Sequence, residues 1–115
     1  MRISVLNLCG SICVDPDDGF RVCHETRQVL ENGEAVVLDF EGVTLLTGSF
    51  LNAAVGCLYG AFSADDLDQR LTWVGLDATD EAVLRVVQEN AIEFFALNPA
   101  QRQRLAEEAL SPVES

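Results

Sequence analysis

Ala35-Val36-Val37-Leu38-Asp39-Phe40-Glu41-Gly42-Val43-Thr44-Leu45-Leu46-Thr47-Gly48-Ser49-Phe50-Leu51-Asn52-Ala53-Ala54-Val55-Gly56 is the stretch on which the fold turns. Ala35 to Phe40 is short, nearly continuously apolar and rich in β-branched side chains, the pattern of a central strand buried on both faces. Thr47-Gly48-Ser49 supplies hydroxyls suited to a helix N-cap, a role open to either Thr47 or Ser49. From Phe50 to Ala61 there is no charged residue. A helix without a polar stripe is a buried helix.

Outward from this centre the pattern alternates. On the N-terminal side, Arg2 to Leu8 reads as a strand with one mixed and one apolar face. Gly10-Ser11 breaks it, and Ile12-Cys13-Val14 adds a second short strand before the turn signal Asp15-Pro16-Asp17-Asp18-Gly19. Phe20, Cys23, Arg27 and Leu30, with Val22, Thr26 and Val29, recur at helical spacing, so a helix is predicted from about Asp17 to Glu31, stopped by Asn32-Gly33. On the C-terminal side, Ser63 caps a short acidic-start helix to Arg70, and Leu71-Thr72-Trp73-Val74-Gly75 is a further strand. Val83, Leu84, Val87, Ala91, Phe94 and Phe95 predict an amphipathic helix over Thr79 to Leu97. Asn98-Pro99 opens a last helix to about Leu110. Strands alternating with helices imply parallel pairs with helices packed on the sheet, an α/β class. One domain over 1–110 with a frayed tail at 111–115 is the expected organisation.

The 115 residues, 49% hydrophobic and 23% charged, fit a single core that needs no disulfide or metal staple. Nineteen acidic residues face seven arginines and no lysine, for a net charge of -12. A nucleic-acid binder needs a basic patch, so nucleic acid is excluded as a partner, and anionic membrane surfaces on the same ground. The short alternating N-terminal run is a strand rather than a signal peptide, and no apolar run reaches membrane-span length. These features point to the cytoplasm, where Cys9, Cys13, Cys23 and Cys57 are expected reduced. Cys13, Cys23 and Cys57 are expected to fill small core gaps and Cys9 to line the sheet.

Enzyme chemistry finds little to work with. There is no Gly-rich phosphate loop, no H-E-x-x-H and no lysine for a Schiff base. His24, the sole imidazole, sits beside Cys23 on a predicted helix, where sequence neighbours point about 100° apart and do not pair. The cysteines lack C-x-x-C spacing, so no metal or cofactor is expected. Asp17-Asp18 and Asp65-Asp66 read as first-turn helix residues. No residue is assigned a catalytic role. Ser49 is the informative position: a hydroxyl between a central strand and a buried helix, where backbone N–H groups converge and a phosphate is tolerated.

The stretch from Ala35 to Gly56 resembles the central motif of STAS domains, the fold of bacterial anti-sigma factor antagonists, and is most similar to the STAS-like family of unknown function DUF4325. Its Asp-Phe and Gly-Val, its Ser-Phe and its Asn-Ala-Ala carry the likeness, joined by Asp17-Asp18-Gly19 and Asn90, over about residues 2–104. The resemblance implies a mixed β-sheet with helices packed on it, and a non-catalytic bacterial signalling module that binds a GHKL-type ATPase, an anti-sigma factor or another regulator. Anti-sigma factor antagonists carry Asp-Ser-Ser-Gly and are phosphorylated on the second Ser, which falls on Ser49. Thr47, Gly48 and Phe50 replace the other three. The implied docking surface is Thr47, Gly48, Ser49, Phe50 and Asn52, with Ser49 as a phospho-switch. A small-ligand sensor, or a thiol redox sensor using Cys9 or Cys13, is the alternative. Apolar residues exposed on the last two helices would indicate an oligomer.

Overall fold

Val36–Asp39 (β3) lies at the centre of a three-stranded parallel sheet, flanked by Arg2–Ser4 (β1) and Leu71–Val74 (β5), in a computed structural model described over residues 1–96. Register places Leu38 between Ile3 and Trp73, and Asp39 between Ser4 and Val74. Val36, Leu38 and Leu71 are therefore on one face and buried, while Arg2, Val37, Asp39 and Thr72 share the other, which is only partly covered. The central strand is thus sealed on one face, not on both.

The strand expected to reach Leu8 ends at Ser4. The Ser4 hydroxyl accepts the Asn7 N–H at 3.1 Å and starts a short helix, Val5–Cys9 (α1), which drives Val5 into the core. A capping serine wins here over alternation. Ile12–Cys13 (β2) pairs in parallel with Leu45–Leu46 (β4) as a separate two-stranded ribbon. Every pairing among the described residues is parallel, where the resemblance implied a mixed sheet.

Pro16–Glu31 (α2) has Asp15 as its N-cap, accepting the Asp17 N–H at 3.0 Å, and Pro16 in its first turn. It ends at Asn32, after which Gly33 takes φ +84°, the left-handed conformation that glycine adopts without penalty. Its buried stripe is Gly19, Val22, Thr26 and Leu30. Gly48–Ala54 (α3) packs against it more extensively than any other pair of elements. The apolar run then continues as a 3-10 helix, Gly56–Gly60, rather than one long helix to Ala61. Gly56 marks the change: its position leaves only 2.7 Å between a Cβ and the Asn52 Oδ1.

Ala64–Arg70 (α4) is capped by Ser63. Arg70 grips Asp66 through two bonds of 2.9 and 2.7 Å and donates to the Leu30 carbonyl at 2.8 Å, tying α4 to the end of α2. Ala78–Ala96 (α5) lays Leu84, Val87 and Ala91 onto the 3-10 helix and α3, and its Gln88 donates to the Tyr59 hydroxyl at 3.0 Å. Phe40, Phe50, Leu38, Leu51, Leu58 and Leu84 fill the core. Among the described residues no helix is long and apolar enough to cross a membrane. The helix expected from Pro99 to Leu110 and the tail 111–115 lie outside the described residues.

Candidate functional site

Thr47 sits in extended backbone between β4 and α3, and its Oγ1 accepts the Phe50 N–H at 3.2 Å. The same hydroxyl lies 3.5 Å from the Val14 carbonyl, to which it donates, anchoring the loop to the segment after β2. Capping therefore belongs to Thr47. Ser49, one residue inside the helix, is exposed and its hydroxyl makes no hydrogen bond among the described residues.

Six of the seven residues of α3 divide cleanly, with Gly48 half-buried between the two groups. Phe50, Leu51, Ala53 and Ala54 are buried, whereas Ser49 and Asn52 are exposed. Phe50, expected on the docking surface, is fully buried in the core instead. Helical geometry forces this, because Phe50 points about 100° away from Ser49.

Ser49 and Asn52 face a groove of about 1160 Å³ whose walls come from the start of α2 and the outer side of α5. Pro16 and Phe20 form one wall, Gly48 and Ala53 contribute to the floor, and Val83, Val86, Asn90 and Phe94 form the other wall. Of the expected docking residues the groove takes Gly48, Ser49 and Asn52, while Thr47 and Phe50 stand behind it. Asn90, distant in sequence, joins them. Among the described residues the polar groups in this apolar groove are a hydroxyl and two amides, and the one charged lining residue is Glu93. An apolar groove with a few polar groups in its lining is the general form of a binding site. Phe20, Val83 and Val86 are among the lining residues that pattern reading did not assign to a site. Their available signal was an excess of apolar positions beyond one helical face.

His24 is exposed on α2, with its Nε2 3.1 Å from the Gln28 amide nitrogen. Asp17-Asp18 and Asp65-Asp66 occupy helix first turns, as their pattern predicts. The cysteines differ from expectation. Cys23 of α2 and Cys57 of the 3-10 helix are joined in a disulfide, because the close α2–α3 packing brings the two helix faces together across 34 residues of sequence. Cys57 borders the groove. Cys13 is buried in the core as expected, and burial, with lesser contributions from Cys9 and Asp18, pushes its thiol up to about 11. Burial also raises the Cys9 thiol, helped by Asp18 and opposed by Arg21, while its Sγ donates to the Asp18 carbonyl at 3.4 Å. Neither thiol is activated.

A family model described as "STAS-like domain of unknown function (DUF4325)" matches residues 18–81, more than half of the chain. The chain belongs to this STAS-like family. No curated protein and no solved structure matches it. The matched span runs from the first turn of α2 to the start of α5, shorter than the 2–104 of the resemblance, and leaves Asn90 outside. Within this STAS-like domain Asp39 is a structural joint: its carboxylate accepts the Glu41 N–H at 2.9 Å and the Arg2 Nε–H at 3.0 Å. Those two bonds, the backbone one first, hold it below the usual carboxylate range.

Proposed function

We propose that this STAS-like domain is a non-catalytic interaction module of bacterial signalling, resembling an anti-sigma factor antagonist. Its partner is a GHKL-type ATPase or another regulator, and Ser49 is the switchable residue. The observation that carries this reading is the division of labour in the loop. Thr47 holds the cap, so the Ser49 hydroxyl is exposed and uncommitted at the edge of a groove. A phosphate on Ser49 would add up to two negative charges to the docking surface without removing a bond the fold uses.

The test is a pull-down from the native host with wild-type protein and Ser49→Glu in parallel, with mass spectrometry of what co-purifies. Recovery of an ATPase or sigma-factor regulator by wild type alone supports the phospho-switched antagonist. Equal recovery by both refutes the switch and leaves an adaptor. A thiol-sensor reading built on Cys9 or Cys13 has weaker support, since burial holds both as thiols. The groove keeps the small-ligand sensor as the second reading, and ligand-dependent melting is its readout.

A further inference from the structure

Phe20 and Val86 stand on opposite walls of the groove, each 54% exposed, although each is an apolar residue with a core available nearby. Two such walls with Ala53 between them form an apolar trough rather than a scatter of single surface residues. Along α5 the lining runs from Val83 to Phe95, a rise of about 18 Å, a little over three helical turns. That length and shape suit one amphipathic helix laid in the trough with anchors at i, i+4 and i+7.

The charges around the trough select the helix. Glu93 lines it, and Glu89 lies on the same stripe of α5 as Val86 and Glu93, at spacings of three and seven. Asp17 adjoins Pro16 on the opposite wall. Of the five arginines among the described residues, Arg2, Arg21, Arg27 and Arg70 are each paired with a carboxylate of this chain. Arg85, beside Val86 in sequence, does not line the groove. Among the described residues the trough is therefore bordered by carboxylates, with no arginine in its lining.

We infer that the groove between α2 and α5 receives an amphipathic helix of a protein partner whose apolar stripe is flanked by lysine or arginine. This deepens the interaction-module reading and rests on it. The ends of the groove differ. Gly48 is placed so that a Cβ there would lie 3.7 Å from Val83, so Ser49 stands at the Val83 end, while Glu93 stands about 15 Å further along α5. The flanking cations of the ligand meet Glu89 and Glu93 along α5 and Asp17 across from them, and the apolar stripe meets Ser49 at the Val83 end. A phosphate on Ser49 would be desolvated against apolar side chains, which disfavours the complex even with a basic partner.

The experiment titrates the full chain with two helical peptides that share leucines at i, i+4 and i+7. One carries lysine at the flanking positions and the other glutamate. Anisotropy gives affinity and amide shift mapping gives the place. The lysine peptide is expected to bind, more weakly as salt rises, with shifts centred on Phe20, Val83, Val86 and Asn90. Val86→Ser and Phe20→Ser, both at exposed positions, should each weaken it about tenfold, the worth of one buried apolar side chain. Glu93→Lys should weaken it while retaining the apolar contact. Equal binding of both peptides, shifts centred elsewhere, or indifference to Val86→Ser would overturn the inference. So would a homodimer that Val86→Ser dissolves, or binding that appears only after residues 97–115 are removed, because each would give the groove a different occupant. Failure of the host pull-down with success of the lysine peptide would remove the signalling reading and keep the groove. The reverse pattern would place the partner on another surface.

Discussion

Replacing Gly19 with alanine should destabilise the domain, against the usual gain from putting alanine in a helix. A Cβ at position 19 would lie 2.6 Å from the Phe50 carbonyl oxygen, 2.8 Å from the Ala53 Cβ and 3.2 Å from the Ala54 N. A carbon–oxygen contact settles at about 3.3 Å, so α2 and α3 must separate by roughly 0.7 Å. None of the three atoms belongs to a flexible side chain that could turn aside. Overpacking of this kind costs about 1–3 kcal/mol, and helix propensity returns at most about 1 kcal/mol. With two approaches under 3.0 Å to atoms that cannot turn aside, the overpacking falls in the upper half of that range, about 2–3 kcal/mol, so the net loss is about 1–2 kcal/mol, a fall in Tm of roughly 5–15 °C for a domain of this size. Urea unfolding by circular dichroism, with the slope unchanged, measures it. Gly48→Ala is the control: its Cβ would lie at an ordinary 3.7 Å from Val83, so this variant should be as stable as wild type or up to about 1 kcal/mol more stable. A Gly19→Ala protein as stable as wild type would refute the close helix crossing on which the groove wall depends.

Three further outcomes follow from the same structure. Thr47→Ala should lose about 1 kcal/mol through the α3 cap, while Ser49→Ala stays within about 0.5 kcal/mol of wild type; equal losses in denaturant melts would return the cap to Ser49. Thr26 is fully buried and its Oγ1 has no hydrogen-bond partner among the described residues, so the similarly shaped Thr26→Val should raise stability by about 1 kcal/mol, read from the same melts. Asp39 and Asp66 are held below the usual carboxylate range, Asp39 mainly by the Glu41 N–H and Asp66 by Arg70. Their contribution is present above about pH 4 and lost as pH falls through the lowered values. Asp80, raised by burial and by Asp77, contributes with the opposite sign. Stability profiles of Asp39→Asn and Asp66→Asn should therefore fall less steeply below pH 4 than that of wild type.

The stretch from Ala35 to Asn52 was legible because each of its signals is local. A β-branched run, a hydroxyl loop and an uncharged helix need no knowledge of what packs on them, and β3, Thr47 and α3 stand where they point. The α2 face was harder. Of its buried stripe, Val22, Thr26 and Leu30 stand in the helical spacing, but Gly19 has no side chain to register, whereas exposed Phe20 does. Taking Phe20 only as part of the helical spacing hid one groove wall. In α5, Leu84, Val87 and Ala91 are buried, yet Val87 and Ala91 also border the groove beside Val83, Val86 and Phe94, so the core stripe and the groove stripe merged into one broad pattern. The disulfide was invisible because Cys23 and Cys57 meet only through the α2–α3 crossing. Ser4 ended β1 early by a single capping bond that competes with the alternation around it.

The two faces of α3 bear on how any functional experiment here is interpreted. Phe50, Leu51, Ala53 and Ala54 anchor the helix in the core, and Thr47 closes its first turn. Ser49 and Asn52 point the other way and carry none of that load. A change at Phe50 that abolishes partner recovery would therefore report lost packing, because truncating a fully buried phenylalanine costs about 3–5 kcal/mol. A change at Ser49 that does so, in a protein whose melting is unaltered, would report the surface itself. Thr47 lies between these cases, since losing its cap loosens the turn that presents Ser49. A Thr47→Ser variant that keeps a hydroxyl cap while Ser49 is varied separates presentation of the serine from its chemistry.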